Sequence, residues 1–281
     1  MTPLATMLLT SLLVVLATMT ALWMLSLAMR NASIVDPFWG TGFILVTWLT
    51  VASTPPAWSV ARSWLLAALV TAWGLRLSLY LLWRNSGHGE DRRYRAMRDH
   101  HGPRFWWVSL LTVFWLQAVI LWIVSLPIQA AMLADPTNAV LVQSSGLPLG
   151  WLDVIGTSIW LIGFLFESFG DFQMSRFQAN PVNVGQVMDR GLWRYTRHPN
   201  YFGDFCVWWG LFLIAAGAGA AWTMFSPLLM SFLLLKVSGV TLLEKTITSR
   251  RPDYAAYQAR TSSFFPWPPS NSPAIQSRGA E

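Results

Sequence analysis

The sequence predicts an all-α polytopic membrane protein: a bundle of seven transmembrane helices, with the N-terminus outside and the C-terminus cytoplasmic. Three observations carry that prediction. Of the 281 residues, 54% are hydrophobic and only 11% are charged, against roughly 25% charged in a soluble domain. Apolar runs recur at close to the roughly 20 residues that a helix needs to cross a bilayer. The basic residues collect on one side of the alternation that those runs define.

The first span, roughly 4–29, begins at Pro3 with no basic residue before it, and Arg30 follows it. A secretory leader carries its charge in front, so this run reads as a retained helix entering from outside. The second, 34–53, opens near DPFWG and stops at TPP (54–56). The third covers 58–83. The fourth, 106–132, stops before DPTN (135–138), and the fifth covers 148–172. The sixth, 200–218, and the seventh, 222–244, meet at GAGA (217–220). These spans form one domain over 1–265 with no internal repeat. Residues 245–264 read as an interfacial helix closing the cytoplasmic mouth, and the Pro- and Ser-rich tail 266–281 as disordered.

Of the 19 Lys and Arg, Arg62 falls outside, Arg76 and Lys236 fall within spans, and all the others lie in cytoplasmic segments. Two of those segments, 84–105 and 173–199, are long and polar. The first is Arg-rich and Gly-containing, and reads as a lid over phosphates.

Ionisable groups at membrane depth are costly, so they point to function. Arg76, Tyr80 and Arg84 share one helix face at i, i+4, i+8 spacing. Glu167 and Asp171 repeat the four-residue spacing at the cytoplasmic end of the fifth span, and Asn200 and Asp204 at the start of the sixth. Glu244 stands where the seventh leaves the membrane, and Asp36 near the start of the second. The competing reading is that such groups pair with Arg76 or Lys236 and only stitch helices together. Taken as a constellation, they suit a phosphorylated nucleotide cofactor. Arginine forks read phosphates bidentately, and carboxylates accept from ribose hydroxyls and amide N–H groups. The helix start near Asn200 aims its dipole at the same anion.

Other chemistries lack their residues. The single cysteine, Cys206, excludes a disulfide framework and Cys-rich metal sites. The four histidines lack the paired spacing of a helical metal site, so no metal is expected. No G-x-S-x-G or G-x-G-x-x-G element occurs. Nothing points to nucleic acid.

The run GLWRYTRHPNYFGD (191–204) resembles the C-terminal signature of the steroid 5α-reductase family. With DPFWG (36–40), GEDRRY (89–94) and YAAYQARTSSFFPWPP (254–269), it is similar to the bacterial branch of that superfamily over nearly the whole chain. The resemblance implies NADPH-dependent reduction of the C4–C5 double bond of a 3-oxo-Δ4 steroid, or of a similar lipophilic enone. Asn200 and Asp204 fall on the family's cofactor-contacting Asn and Glu, and Asp171 on an Asp of the fifth span. Glu167 stands where the family has Asn. Arg76 and Tyr80 fall on an Arg-x-x-x-Tyr pair of the third span. The family's proton-donating pair is a Glu before Pro and a Tyr; Asp36 and Trp73 fall on these positions. Trp donates a hydrogen bond but no proton at neutral pH, so Asp36, protonated by burial, is expected to donate directly or through a water. Arg92, Arg93, Arg95, Arg194 or Arg197 is expected at the 2′-phosphate. The remaining implied cofactor positions are Arg84, Tyr94, Arg176, His198, Tyr201, Glu244 and Tyr254. The implied setting is the cytoplasmic membrane of a bacterium. There a monomer would meet lipids and a steroid-like substrate, with its cofactor site facing the cytoplasm.

The rival is an S-adenosylmethionine-dependent membrane methyltransferase of the isoprenylcysteine or phospholipid type. Those enzymes share an R-H-P-x-Y-x-G segment, a late Glu and a Y-x-x-Y tail, which RHPNYFG, Glu244 and Tyr254/Tyr257 match. A second rival is a lipid-binding or transport bundle whose basic loops touch only headgroups.

Overall fold

The computed structural model describes residues 2–54, 60–134, 149–237 and 253–270, and every regular element among them is helical. Five helices are long and apolar enough to cross a membrane: Pro3–Met29, Ala32–Ser53, Ala61–Asn85, Arg92–Val124 and Trp151–Ala179. They cover the first five expected spans. The sixth expected span forms a helix over Pro199–Gly217, and the described part of the seventh is a shorter apolar stretch, Ala221–Val237. The chain thus has the make-up of an integral membrane protein.

The contacts define two compact units, Met1–Ile155 with Leu211–Ser226, and Gly156–Gly210 with Pro227–Glu281. In the first unit, α1 (Pro3–Met29) is capped by the Thr2 hydroxyl, which accepts the Ala5 N–H at 3.2 Å. It ends at Arg30, whose left-handed φ of 51° turns the chain. A short 3-10 turn leads into α2 (Val35–Ser53), which packs on α3 (Val60–Asn85). The closest approach joins Gly40 to Gly74: a Cβ on Gly74 would lie 2.6 Å from the Gly40 carbonyl oxygen. Close backbone approach through small residues is how helices associate where lipid is as apolar as leucine.

The fourth expected span is not one regular helix. After α4 (Arg92–His101), which precedes it, it runs as α5 (Phe105–Ser109), a π-helical stretch Leu110–Trp115, α6 (Leu116–Val124) and α7 (Leu126–Met132). Pro127, in the first turn of α7, lacks the N–H that would continue α6. Of the expected lid at 84–105, residues Arg92–His101 form the helix α4. Buried polar bonds fasten this stretch to α1. Ser11 donates to Gln129 Oε1 at 2.7 Å, and Trp122 Nε1 donates to the Leu8 carbonyl at 3.0 Å.

Arg62 is no exposed topology charge. It is buried and forks Asp153, with Nε and Nη2 each 2.8 Å from a carboxylate oxygen. Asp153 Oδ2 also accepts the Gly150 N–H at 2.7 Å.

The second unit is organised by a glycine seam. On α8 (Trp151–Ala179) glycines stand at 156, 163 and 170; on the part of α9 (Pro199–Gly217) in this unit they stand at 203 and 210. A seven-residue spacing keeps them on one helix face. Within this unit, a Cβ on Gly163 would lie 2.5 Å from the Gly203 carbonyl oxygen, and one on Gly210 2.5 Å from that of Gly156. Beyond α10 (Phe225–Phe232) and a π-helical end at Leu233–Val237, the described chain resumes at α11 (Tyr254–Arg260). Of the expected interfacial helix, 245–252 lies outside the described residues. Residues 266–270, expected in a disordered tail, are held by two backbone bonds: Trp267 N–H donates to the Tyr195 carbonyl and Ser270 N–H to that of Arg260, each at 2.9 Å.

Candidate functional site

In the first unit, DPFWG and GEDRRY dock on each other. The Tyr94 hydroxyl donates to Asp36 Oδ1 at 2.6 Å, and Arg93 Nη2 donates to Asp36 Oδ2 at 2.9 Å. Both Asp36 oxygens are thus held by hydrogen bonds. Gln117 donates to the Tyr94 oxygen at 3.3 Å and itself accepts from Trp39 Nε1 at 2.6 Å. Trp73, on the family's Tyr position, is buried with its ring 5.7 Å from that of Phe43. Sequence reading missed Gln117, an uncharged amide in an apolar span; only its polarity within that run marks it.

The same docking is pinned at Glu90. Its Oε1 accepts the Ala32 N–H at 2.8 Å, and Arg98 forks both oxygens at 2.9 and 2.7 Å. Ser33 accepts the Asp91 N–H at 2.6 Å. Burial alone would raise the Glu90 carboxyl, but the Arg98 and Ala32 hydrogen bonds, then the charges of Arg98 and Arg95, outweigh it and hold it below the usual 4.5. A depressed folded-state pKa gives stability that is present above the unfolded value and lost as pH falls through the folded one. Glu90→Gln is therefore expected to flatten the acid limb of a plot of Tm against pH below about 4.5, where wild type loses the contribution and the variant has none to lose.

Arg76, Tyr80 and Arg84 share a face as their spacing predicts: the two guanidinium carbons lie 5.4 and 5.6 Å from the Tyr80 ring centre. Arg92 is exposed, and Arg95 donates to the Glu90 carbonyl at 3.3 Å. Arg93 is shared between Asp36 and Asp91.

In the second unit, the polar residues of α8 and α9 flank the glycine seam. Glu167 and Asp171 are buried, and Asn200 Nδ2 donates to Asp171 Oδ1 at 3.1 Å. A Cβ on Gly203 would collide with the Glu167 amide nitrogen, so the seam brings Glu167 and the start of α9 together. Asp204 follows one turn after Asn200, half-buried. His198 is buried and stacks on Tyr201, with ring centres 5.5 Å apart.

Arg197, expected at a phosphate, clamps the C-terminal segment. Its Nη1 donates to the Gln258 carbonyl at 3.0 Å and the Thr261 carbonyl at 2.6 Å, closing the end of α11. Thr196 Oγ1 donates to the Phe264 carbonyl at 2.7 Å, and the Tyr257 hydroxyl donates to that of Trp193. Tyr254 is buried against Tyr257. Arg194 is exposed. Arg176 lines a separate cleft with Arg190 that includes none of Glu167, Asp171, Asn200 or Asp204. Glu244 lies outside the described residues. Among the described residues no group of His, Cys, Asp and Glu could hold a metal ion.

Over 274 residues the chain is 26% identical to an uncharacterized protein of Schizosaccharomyces pombe, covering 87% of this chain and 75% of that one. No solved structure matches it. The profile of the DUF1295 family, described as proteins of unknown function, matches residues 22–261, which contain both docked motifs, the glycine seam and the RHPNYFGD segment, and the chain belongs to that family.

Proposed function

We propose that the chain is an NADPH-dependent reductase of a carbon–carbon double bond conjugated to a carbonyl in a lipophilic, steroid-like substrate. In this reading it crosses the cytoplasmic membrane of a bacterium seven times as a monomer, N-terminus outside and cofactor site facing the cytoplasm. The observation that carries the reading is the buried acid–amide cluster. Glu167, Asp171 and Asn200 sit at the α8–α9 seam, with Asn200 bonded to Asp171, on the segment that resembles the reductase signature.

The donor set fits a dinucleotide. Buried carboxylates accept from ribose hydroxyls or a carboxamide N–H, and the Asn200 amide offers both a donor and an acceptor. Asp204 extends the cluster by one turn, and exposed Arg194 is available to a phosphate. When bound, NADPH supplies the hydride that adds to the β-carbon. The electron pair then moves onto the carbonyl oxygen, which needs a hydrogen-bond donor, and the α-carbon takes a proton. In this reading Asp36 is the acid, held in place by its bonds to Tyr94 and Arg93.

Titrating the purified protein with NADPH and with S-adenosylmethionine, side by side, tests the reading. Saturable NADPH binding is expected, weakened about tenfold or more in Asn200→Ala, as for loss of a hydrogen bond to a charged or buried partner. Binding of adenosylmethionine with none of NADPH would overturn it in favour of a methyltransferase. Binding of neither would favour a lipid-handling bundle.

A further inference from the structure

The last turns of α8 and the loop after it border an open surface cleft of about 540 Å³, lined by Phe172, Gln173, Arg176, Asn180, Met188 and Arg190 among others. Among the described residues no acidic side chain lines it, and the neighbouring carboxylate of Asp189 is taken by Arg260 at 2.5 Å. Neither Arg176 nor Arg190 has a side-chain ion pair or hydrogen bond among the described residues. Gln173 Oε1 accepts the Leu192 N–H and Asn180 Oδ1 the Val182 N–H, which leaves the –NH₂ donors of both amides for a ligand. Among the described residues the cleft is therefore a set of donors with positive charge and no counter-charge.

Arg176 also ends an apolar stripe. Leu165, Phe169, Phe172 and Arg176 stand at i, i+4, i+7 and i+11 on α8, and all four are exposed. That spacing keeps them on one face over about 16 Å of helix. α8 is long and apolar enough to cross a membrane, so its exposed apolar residues face acyl chains, while its final turns reach the headgroup layer.

We propose that this cleft is a binding site for a phospholipid of net negative charge, distinct from the nucleotide site proposed above. The phosphate sits between the Arg176 and Arg190 guanidiniums, and one acyl chain lies along Phe172, Phe169 and Leu165. Guanidinium forks match phosphate oxygens in number and plane, and the low dielectric beside the bilayer strengthens the contact. A zwitterionic lipid would bring an uncompensated cation to a cleft already holding two. A lipid without phosphate would leave both guanidiniums unmatched.

The test is native mass spectrometry of the full chain in mild detergent, titrated with dioleoyl phosphatidylglycerol, dioleoyl glycerol or inorganic phosphate. Phosphatidylglycerol is expected to remain bound to the wild type, and dioleoyl glycerol is not. In Arg176→Gln/Arg190→Gln, affinity for phosphatidylglycerol is expected to fall at least about tenfold, as for loss of charge-assisted hydrogen bonds. Both residues are exposed and unpaired among the described residues, so Tm without lipid should not change; it is measured in parallel. Phe169→Ser/Phe172→Ser is expected to weaken the lipid as well. Equal retention of phosphatidylglycerol by the arginine variant overturns the proposal, as does equal retention of dioleoyl glycerol. Displacement of the lipid by inorganic phosphate alone overturns the lipid assignment and gives the cleft to a free anion. NADPH binding is measured on the same arginine variant. If it is unchanged while the lipid is lost, the two sites are separate, and a failure of either reading leaves the other standing.

Discussion

Asp153→Ala is expected to destabilise the protein by about 3–5 kcal/mol, the usual cost of stranding one member of a buried ion pair. Arg62 and Asp153 have side chains 4% and 1% exposed, so water cannot replace the missing carboxylate. Arg62 would keep a positive charge with no acceptor at either fork position. The Gly150 N–H would lose its acceptor as well. The complementary variant, Arg62→Met, leaves a buried carboxylate and is expected to cost a similar amount. Arg62→Met with Asp153→Ala together should cost much less than the sum, because the double change removes both desolvated charges at once. Denaturant-induced unfolding in detergent, read through the double-mutant cycle, measures the coupling. Simple additivity of the two single changes would show that the pair does not act as one unit.

Gly203→Ala is expected to cost about 1–3 kcal/mol by overpacking, although alanine is the better helix former by roughly 1 kcal/mol. The added methyl would meet backbone: the Glu167 amide nitrogen, and the Gly163 carbonyl oxygen at 2.6 Å. Neither can rotate away, so α8 and α9 must separate. The separation would also move Glu167 relative to Asn200. If the reductase reading holds, NADPH affinity falls together with stability. Leu161→Ala serves as the control: it sits on the facing helix α8 but is exposed, and surface changes usually stay within about 0.5 kcal/mol. Unfolding curves of both variants decide the matter. A Gly203→Ala curve that overlays wild type would show that the seam tolerates a wider crossing.

The five long apolar helices of this chain were legible because apolar length is a property of sequence alone. Its interruptions were not. LLTVFW (110–115) is as apolar in a π-helical turn as in an α-helical one, so hydropathy gives no sign of the change of pitch. Charge proved a poor guide where its partner lies far along the chain. Arg62 reads as a topology signal until Asp153, 91 residues away, is folded against it. Arg197 reads as free for a phosphate until the carbonyls of α11 reach it. The acid–amide cluster was legible because its four-residue spacing survives into the helices unchanged. Tyr94 was singled out for a cofactor role, but its partnership with Asp36 depends on α4 being a helix where the sequence suggests a loop. The glycine seam is written plainly at 156, 163, 170 and 203, 210, yet it carries no polarity, and a search among charged groups leaves it aside.

The bonds that Thr196 and Arg197 make with the C-terminal segment set an order of events in biosynthesis. Their acceptors lie 61 to 68 residues further along the chain. A ribosome must therefore release Phe264 before the segment that opens α9 can satisfy these donors. Apolar helices enter the bilayer as they are made, whereas this corner has to wait, its polar groups solvated in the meantime. Insertion and completion are thus separate steps, the first governed by hydrophobicity and the second by residues translated later. A chain stalled before Tyr254 would be fully anchored in the membrane and still lack the strap that fixes its RHPNYFGD corner.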